Sequence, residues 1–205
     1  MDWSTLLFAL EDLLGGSSAI GNVMIRVLTF VAQHPECQEK LQQECDKIIG
    51  CGNTVSVDHR RDMPYMEATI MEVLRHTASP IVPHVATEDT SINDFDVKKG
   101  TVVFLNNYAT NMSENDWNEP KSFKPERFIK DGAYQKPSHF LPFSTGKRAC
   151  VGSNILKHVT FVTLANLMQK YTVDIPNVAE INIPVGRLAV VGDGFNMRFN
   201  HRSRA

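Results

Sequence analysis

The chain of 205 residues lacks the features that define several common protein classes. It has only four cysteines and no CxxC pair, so neither a zinc site nor a disulfide framework is indicated. Lys and Arg number 21 against 23 Asp and Glu, without a basic cluster, which argues against a nucleic-acid partner. No Gly-x-Gly-x-x-Gly follows a predicted strand, so the chain has no dinucleotide-binding signature of its own.

Length and composition instead fit one globular domain. The chain is 42% hydrophobic and 21% charged, which is ordinary composition with enough apolar residues for a core. No secretory leader is expected, because no basic region leads into a short apolar core. Residues 13–33 are apolar, but two serines, Asn22 and Arg26 interrupt them, so we do not expect a membrane-spanning helix.

The apolar pattern predicts four helices and several short strands. The helices are expected at residues 1–33, 35–49, 63–76 and 155–171. Short β-like runs lie between residues 82 and 105, and residues 187–199 are typical of a hairpin around a Gly-Asp-Gly turn. Residues 106–142 show little periodicity, which in a compact domain indicates a functional or cofactor-packed segment.

The first predicted helix is unusual in two respects. After Asp12 its only charge is Arg26, and a helix that is apolar nearly all round must be buried inside something larger. Its middle carries Gly15, Gly16 and Gly21. Each glycine costs about 1 kcal/mol relative to alanine, so we expect a neighbouring segment or a ligand to approach the helix backbone there.

One cysteine differs from the others by its surroundings. Cys150 lies between Gly146 and Gly152, just ahead of an apolar helical run, and Arg148 is two residues before it. The N–H groups of a turn, a helix N-terminus and a nearby arginine all favour a thiolate over a thiol. Cys150 is therefore a candidate metal ligand or nucleophile, whereas the other three cysteines are expected to be free thiols.

The pattern Phe-x-x-Gly-x-Arg-x-Cys-x-Gly at residues 143–152 resembles the haem-binding loop of the cytochrome P-450 family. Two further motifs precede it in the order found in that family. Glu72 and Arg75 are similar to the Glu-x-x-Arg helix, and their i,i+3 spacing puts both on one helical face. Pro-Glu-Arg-Phe at residues 125–128 is similar to the segment whose arginine, here Arg127, joins that pair; the alternative is a surface pair of little energetic value.

The resemblance implies a mainly α (α+β) fold, the C-terminal part of a single cytochrome P-450 domain over residues 1–205. It implies a long distal helix, the Glu-x-x-Arg helix, small β-sheets, a meander and the cysteine loop. The membrane anchor and the N-terminal part of the family domain have no counterpart here. We therefore expect the chain to fold poorly alone.

The resemblance also implies haem b, with the Cys150 thiolate as axial iron ligand. Gly146 and Gly152 would let the loop backbone pass close to the ring, and Phe143 would shield the sulfur from water. A purely structural role of Phe143 in the core stays open.

Two further side chains are implied as partners of the haem propionates. Arg148 carries over from the cysteine motif, and His84 stands where many family members place an arginine or histidine. A solvated Arg148 and a packed or surface His84 remain alternatives.

The distal helix departs from the family pattern of small-Gly-x-acid-Thr-Thr/Ser. The corresponding catalytic positions are Gly16, Ser17, Ser18 and Ala19, with Ser18 at the acid position and Ala19 at the alcohol position. A serine cannot supply an ionisable proton near neutral pH, so proton relay would run through the Ser17 or Ser18 hydroxyl and water, or through substrate. Both serines could equally be ordinary small helix residues.

The resemblance implies a monooxygenase that uses O2 and electrons from an NADPH-dependent reductase or a ferredoxin to hydroxylate a lipophilic substrate. The distal residues resemble the arthropod Spook-type (Halloween group) branch, which would make the substrate a sterol in ecdysteroid biosynthesis. Alternatives are a haem-thiolate isomerase or dehydrase without O2 activation, favoured by Ser18 and Ala19, and a catalytically silent truncated fragment. The full-length protein is expected at the endoplasmic reticulum membrane, or in mitochondria.

Overall fold

The computed structural model describes residues 2–77, 83–177, 181 and 195–203. The helices are α1 (Trp3–Gln33), α2 (Pro35–Ile48), α3 (Pro64–Thr77), α4 (Asn107–Asn111) and α5 (Ser153–Lys170). The strands are β1 (Pro83–Val85), β2 (Thr90–Ile92), β3 (Phe95–Val97), β4 (Val102–Phe104), β5 (Ile129–Lys130), β6 (Ala133–Tyr134), β7 (Tyr171–Asp174) and β8 (Arg198–His201). Short 3-10 turns lie at Val57–Arg61, Pro125–Phe128 and Gly146–Arg148. The expected mainly α (α+β) class is confirmed.

The strands of the described chain pair only as antiparallel two-stranded ribbons: β1 with β4, β2 with β3, β5 with β6 and β7 with β8. The β-like runs between residues 82 and 105 are thus strands. Most of the hairpin predicted at residues 187–199 lies outside the described residues. Its described end, β8, pairs with β7 directly after α5, with His201 opposite Tyr171, a pairing that the sequence did not predict.

The predicted irregular segment at residues 106–142 contains more regular structure than expected. It includes α4, the turn at Pro125–Phe128 and the β5–β6 ribbon. These elements have five residues or fewer, and such short pieces leave no detectable periodicity in a sequence.

Helix α1 is exposed in its first half and buried in its second. It begins at Asp2, whose side chain accepts a hydrogen bond from the Thr5 N–H at 2.7 Å. Trp3 and Leu14 are more than two-thirds exposed, whereas Val27 is fully buried. By length and composition α1 could also cross a membrane, but that test does not distinguish such a helix from the core helix of a globular domain.

The expectation that a neighbouring segment approaches the glycines of α1 is not confirmed. Among the described residues, no atom lies within 4 Å of the position that a Cβ would take at Gly15, Gly16 or Gly21. The reason is that all three glycines lie in the exposed part of the helix, where no described element covers them. A ligand remains the other expected occupant.

Helix α3 forms the centre of the core. Met66, Ile70, Met71 and Val73 are at most 2% exposed, and the helix packs against α1, α2, α5 and the turn at Pro125–Phe128. Because every face of α3 meets another element, its polar side chains are also buried and need partners inside the protein.

The N-terminus of α3 receives its cap from α2. The Glu44 carboxylate accepts hydrogen bonds from the Tyr65 and Met66 N–H groups, each at 2.8 Å. Burial raises the pKa of Glu44 although these two N–H groups act in the opposite direction. Glu44 therefore supplies the acceptors that a helix N-terminus lacks and joins α2 to α3.

We expect Glu44→Ala to destabilise the fold by about 1–3 kcal/mol, because two backbone donors lose their acceptor. The measurement is the free energy of denaturant unfolding of the natural protein that carries this chain. The control is Glu39→Ala, an exposed glutamate of the same helix, which should change it by less than about 0.5 kcal/mol. An equal loss of unfolding free energy in the two variants would show that the Glu44 cap does not stabilise the fold.

Candidate cofactor site

The cysteine loop is a tight turn that returns upon itself. The Cys150 N–H donates to the Phe143 carbonyl at 2.9 Å, and the Ala149 N–H donates to the Gly146 carbonyl at 3.1 Å. Gly146 has φ of 70°, in the left-handed region that glycine adopts without penalty. The loop ends at Gly152, directly before α5, so Cys150 lies at the helix N-terminus, as predicted.

The Cys150 thiol is exposed and lies beside an exposed apolar stripe. Val151, Ile155 and Val159 follow at spacings of four residues and are 93%, 59% and 41% exposed. Ile155 and Val159 share one face of α5, and Val151 lies in the turn just before it. An exposed thiol next to an apolar face can bind a flat apolar group that carries a metal.

The other cysteines have different surroundings. Cys37 and Cys45 are buried free thiols, and burial raises the pKa of Cys37 to about 11. Cys51 is exposed, but it lies in the loop after α2, far along the chain from the glycine-rich turn. The prediction that Cys37, Cys45 and Cys51 are free thiols is confirmed.

The remaining predicted cofactor residues lie in or near this loop, with one exception. Phe143 is partly buried against the core, and the Lys157 ammonium lies 5.9 Å from its ring centroid. Arg148 is exposed in the 3-10 turn before Cys150, while His84 lies half-buried in β1. A Cβ at Gly152 would meet no described atom within 4 Å, so packing within the described chain does not require glycine there.

The predicted charge triad is assembled in the core. The Glu72 carboxylate accepts two hydrogen bonds from Arg75, at 2.8 and 2.9 Å, and one from Arg127 Nε at 3.0 Å. Glu72 and Arg75 are fully buried, and the Arg127 side chain is 10% exposed. The alternative of a solvated surface pair is therefore wrong.

The two arginines also bind the backbone of the predicted irregular segment. Arg75 Nη1 donates to the Asn111 carbonyl at 2.6 Å. Arg127 donates to the carbonyls of Asn118 and Ser122, at 2.9 and 3.1 Å. The triad therefore holds the segment between α3 and the cysteine loop in place.

Sequence reasoning missed three members of this network. The Asn111 amide returns a hydrogen bond to the Arg75 carbonyl at 3.1 Å, and the Trp117 ring lies 5.1 Å from the Arg75 guanidinium carbon. His76 Nε2 lies 3.4 Å from the Glu72 carboxylate. The position of His76, directly after the Glu-x-x-Arg motif on α3, could have indicated that it lies near Glu72. No sequence pattern connects Asn111 or Trp117 to this network.

The charges around Glu72 determine its protonation. Burial opposes ionisation of this carboxyl, but hydrogen bonds from Arg75 and His76, the Arg75 charge and the Lys124 N–H outweigh it. The net result is that the pKa of Glu72 is lowered. Glu72 is thus a buried carboxylate paired well enough to remain ionised.

The predicted distal residues lie together on α1. Gly16, Ser17 and Ser18 are exposed, and Ala19 is half-buried. The structure confirms a continuous helix here. Ser17 Oγ donates to the Leu14 carbonyl at 2.8 Å, whereas Asn22 Nδ2 donates to the Ser18 carbonyl at 2.9 Å and lies 3.5 Å from Ser18 Oγ.

Comparisons with known proteins agree with these motifs. The family model for "Cytochrome P450" matches residues 7–193. Over 98% of its length the chain is 40% identical to "Cytochrome P450 307a1" of Drosophila melanogaster and 33% identical to "Cytochrome P450 2U1" of Mus musculus. Over 91% of its length it is 34% identical to "Steroid 17-alpha-hydroxylase/17,20 lyase" of Oryzias latipes.

The chain therefore belongs to the cytochrome P450 family. It spans 41%, 39% and 37% of the length of these three relatives, in the order given.

We expect Arg127→Ala to destabilise the fold by about 3–5 kcal/mol, because it leaves the buried Glu72 carboxylate with one guanidinium fewer. Denaturant unfolding of the natural protein measures this. The matched control is Arg198→Ala, which breaks an exposed pair with Asp174 (3.5 Å) and should cost less than about 1 kcal/mol. A loss of similar size in both variants would contradict the structural role of the triad.

The lowered pKa of Glu72 also predicts an acid dependence of stability. A carboxyl whose pKa is lower in the folded protein than in the unfolded chain stabilises the fold in full above its unfolded pKa, here 4.5. This stabilisation is lost as the pH falls through the pKa of the folded state. The difference in unfolding free energy between the wild type and Glu72→Gln should therefore shrink as the pH falls below 4.5. A difference that stays constant with pH would show that Glu72 is not ionised in the fold.

Proposed function

We propose that this chain carries the haem of a haem-thiolate monooxygenase, with the Cys150 thiolate as the axial iron ligand. The observation that supports this most is the position of an exposed, free Cys150 in a glycine turn before α5, beside the apolar side chains of Val151, Ile155 and Val159. A porphyrin is flat, largely apolar and carries iron, and these residues suit it.

We propose that the residues of the loop and their neighbours each contact a different part of the haem. Gly146 and Gly152 leave space for a ring above the loop, because no described atom lies within 4 Å of a Cβ at either. Arg148 is exposed and makes no hydrogen bond or ion pair with the described residues, so its guanidinium is available to a propionate. His84 is the second proposed propionate partner. Phe143 accepts a hydrogen bond from the Cys150 N–H through its carbonyl, and its ring would limit access of water to the sulfur once a haem is bound.

The bound haem would supply oxygen insertion, with electrons delivered by an NADPH-dependent reductase or a ferredoxin. The role of the chain is to hold the thiolate, orient the ring and supply protons from α1. The charge triad acts indirectly, since it positions the segment that leads into the cysteine loop.

The proposed substrate is lipophilic and sterol-like, and the proposed location is the endoplasmic reticulum membrane. Support comes from 34% identity to "Steroid 17-alpha-hydroxylase/17,20 lyase" and from 40% identity to "Cytochrome P450 307a1". The more specific proposal, a step of ecdysteroid biosynthesis, rests on the resemblance of the distal residues to the arthropod Spook-type branch.

A second candidate is a haem-thiolate isomerase or dehydrase. It is supported by Ser18 and Ala19, which replace the acid and the alcohol of the usual distal pattern. The two candidates differ in what they need: an isomerase or dehydrase converts an oxygenated substrate without a reductase, whereas a monooxygenase gives no product until electrons and O2 are supplied.

Thiolate ligation can be tested by the carbon monoxide difference spectrum of the natural protein that carries this chain. The wild type should show the long-wavelength Soret band of a thiolate-ligated haem, and Cys150→His should lose it. Cys51→Ser is the matched control, because Cys51 is the other exposed cysteine of the described chain and should be dispensable. If Cys150→His keeps the wild-type spectrum, the proposal is wrong.

A further inference from the structure

His139 lies in the segment that leads into the cysteine loop, and one of its ring nitrogens is buried without a partner. Its Nε2 is shielded from solvent and makes no hydrogen bond to any described residue. The imidazole lies 4.7 Å from the Trp117 ring and is nearly perpendicular to it, at 76°. A charged imidazole needs acceptors for two N–H groups, so a buried nitrogen without an acceptor favours the neutral ring.

Cations already surround the indole that His139 contacts. The guanidinium carbons of Arg75, on α3, and Arg127, in a 3-10 turn, lie 5.1 and 5.7 Å from the centroid of this ring. Both guanidinium groups bind the Glu72 carboxylate, which is therefore already paired. The segment's own cation, Lys136, donates to a backbone carbonyl at 2.7 Å. A proton on His139 would add a positive charge to a cluster whose carboxylate is in use.

A short stretch of chain joins His139 to Cys150. The next residue, Phe140, is fully buried, and its ring lies 5.7 Å from the Trp117 ring. Three residues further on, the Phe143 carbonyl accepts the hydrogen bond from the Cys150 N–H at 2.9 Å. The contacts of His139 and Phe140 with Trp117 therefore fix the point from which the cysteine loop starts.

We propose that His139 is a pH-sensitive anchor of the cysteine loop: the neutral ring holds the start of the loop against Trp117, and a proton on the ring releases it. In the unfolded chain histidine takes up its proton at about pH 6.5, whereas the fold disfavours the charged ring. The anchor therefore stabilises the loop in full above that pH and loses its effect as the pH falls. This inference concerns the chain itself and does not depend on the proposed function.

The first test is amide hydrogen exchange of the natural protein that carries this chain, between about pH 8 and about pH 5. After correction for the intrinsic pH dependence of exchange, acid should increase opening of residues 139–152 roughly tenfold more in the wild type than in His139→Phe. Phenylalanine keeps a ring against Trp117 but takes up no proton. His201→Phe is the matched control and should behave like the wild type, because His201 is exposed and packs on the Tyr171 ring instead.

The second test follows the loop through its thiolate in the haem-bound protein. Acid should speed the loss of the long-wavelength Soret band of the carbon monoxide complex more in the wild type than in His139→Phe. His139→Lys carries a charge throughout this range of pH, so it should lose the band quickly even at about pH 8. A role in packing alone would not make the difference between the wild type and His139→Phe depend on pH.

Each outcome decides for or against the anchor. The same pH dependence of exchange in the wild type and His139→Phe overturns the inference, as does an equal suppression of the acid response by His201→Phe. If His139→Phe does not fold, His139→Gln takes its place, since glutamine is not protonated either and its exchange profile should be flat. If the Soret band is absent at every pH while the exchange profiles differ as expected, the monooxygenase proposal fails and the anchor stands.

Discussion

A fully buried carboxylate that stays ionised is the constraint on which the rest of this structure depends. Glu72 can keep its charge away from water only because two guanidinium groups and a backbone N–H surround it. Those guanidinium groups, from Arg75 and Arg127, have further N–H donors, which bind carbonyls of the segment that runs from the end of α4 to the turn at Pro125–Phe128. One buried charge thus holds a stretch of chain with little regular structure.

This arrangement connects the core to the cysteine. The segment bound by the arginines leads into the loop that presents Cys150, and the loop is closed by its own hydrogen bond from Cys150 to Phe143. The thiol therefore needs no direct contact with the triad to be positioned by it. The same logic applies on α1, where buried Asn22 is placed by the core and in turn holds Ser18, which is exposed.

The helices and the triad residues could be predicted from the sequence, because apolar periodicity and short motifs are read from neighbouring residues. Apolar spacing places α1, α2, α3 and α5 to within two residues of their observed ends. Partners far along the chain were not within reach, since nothing in the sequence indicates that Asn111 would bind Arg75 or that β8 would pair with β7. The sequence did not predict the different hydrogen bonds of Ser17 and Ser18, because those bonds depend on side-chain rotamers.

The sequence by itself determined the family, the cysteine loop and the pair Glu72 and Arg75, because residue type and short spacing suffice for each. Only the tertiary structure decided that Glu72 and Arg75 are buried, and Arg127 almost so, rather than solvated, that Asn111 binds Arg75, and that Asn22 contacts Ser18 from within the core. The physical reason is that burial is a property of what packs around a residue. The energy of a charge or an amide follows from that burial and from the partners it finds there.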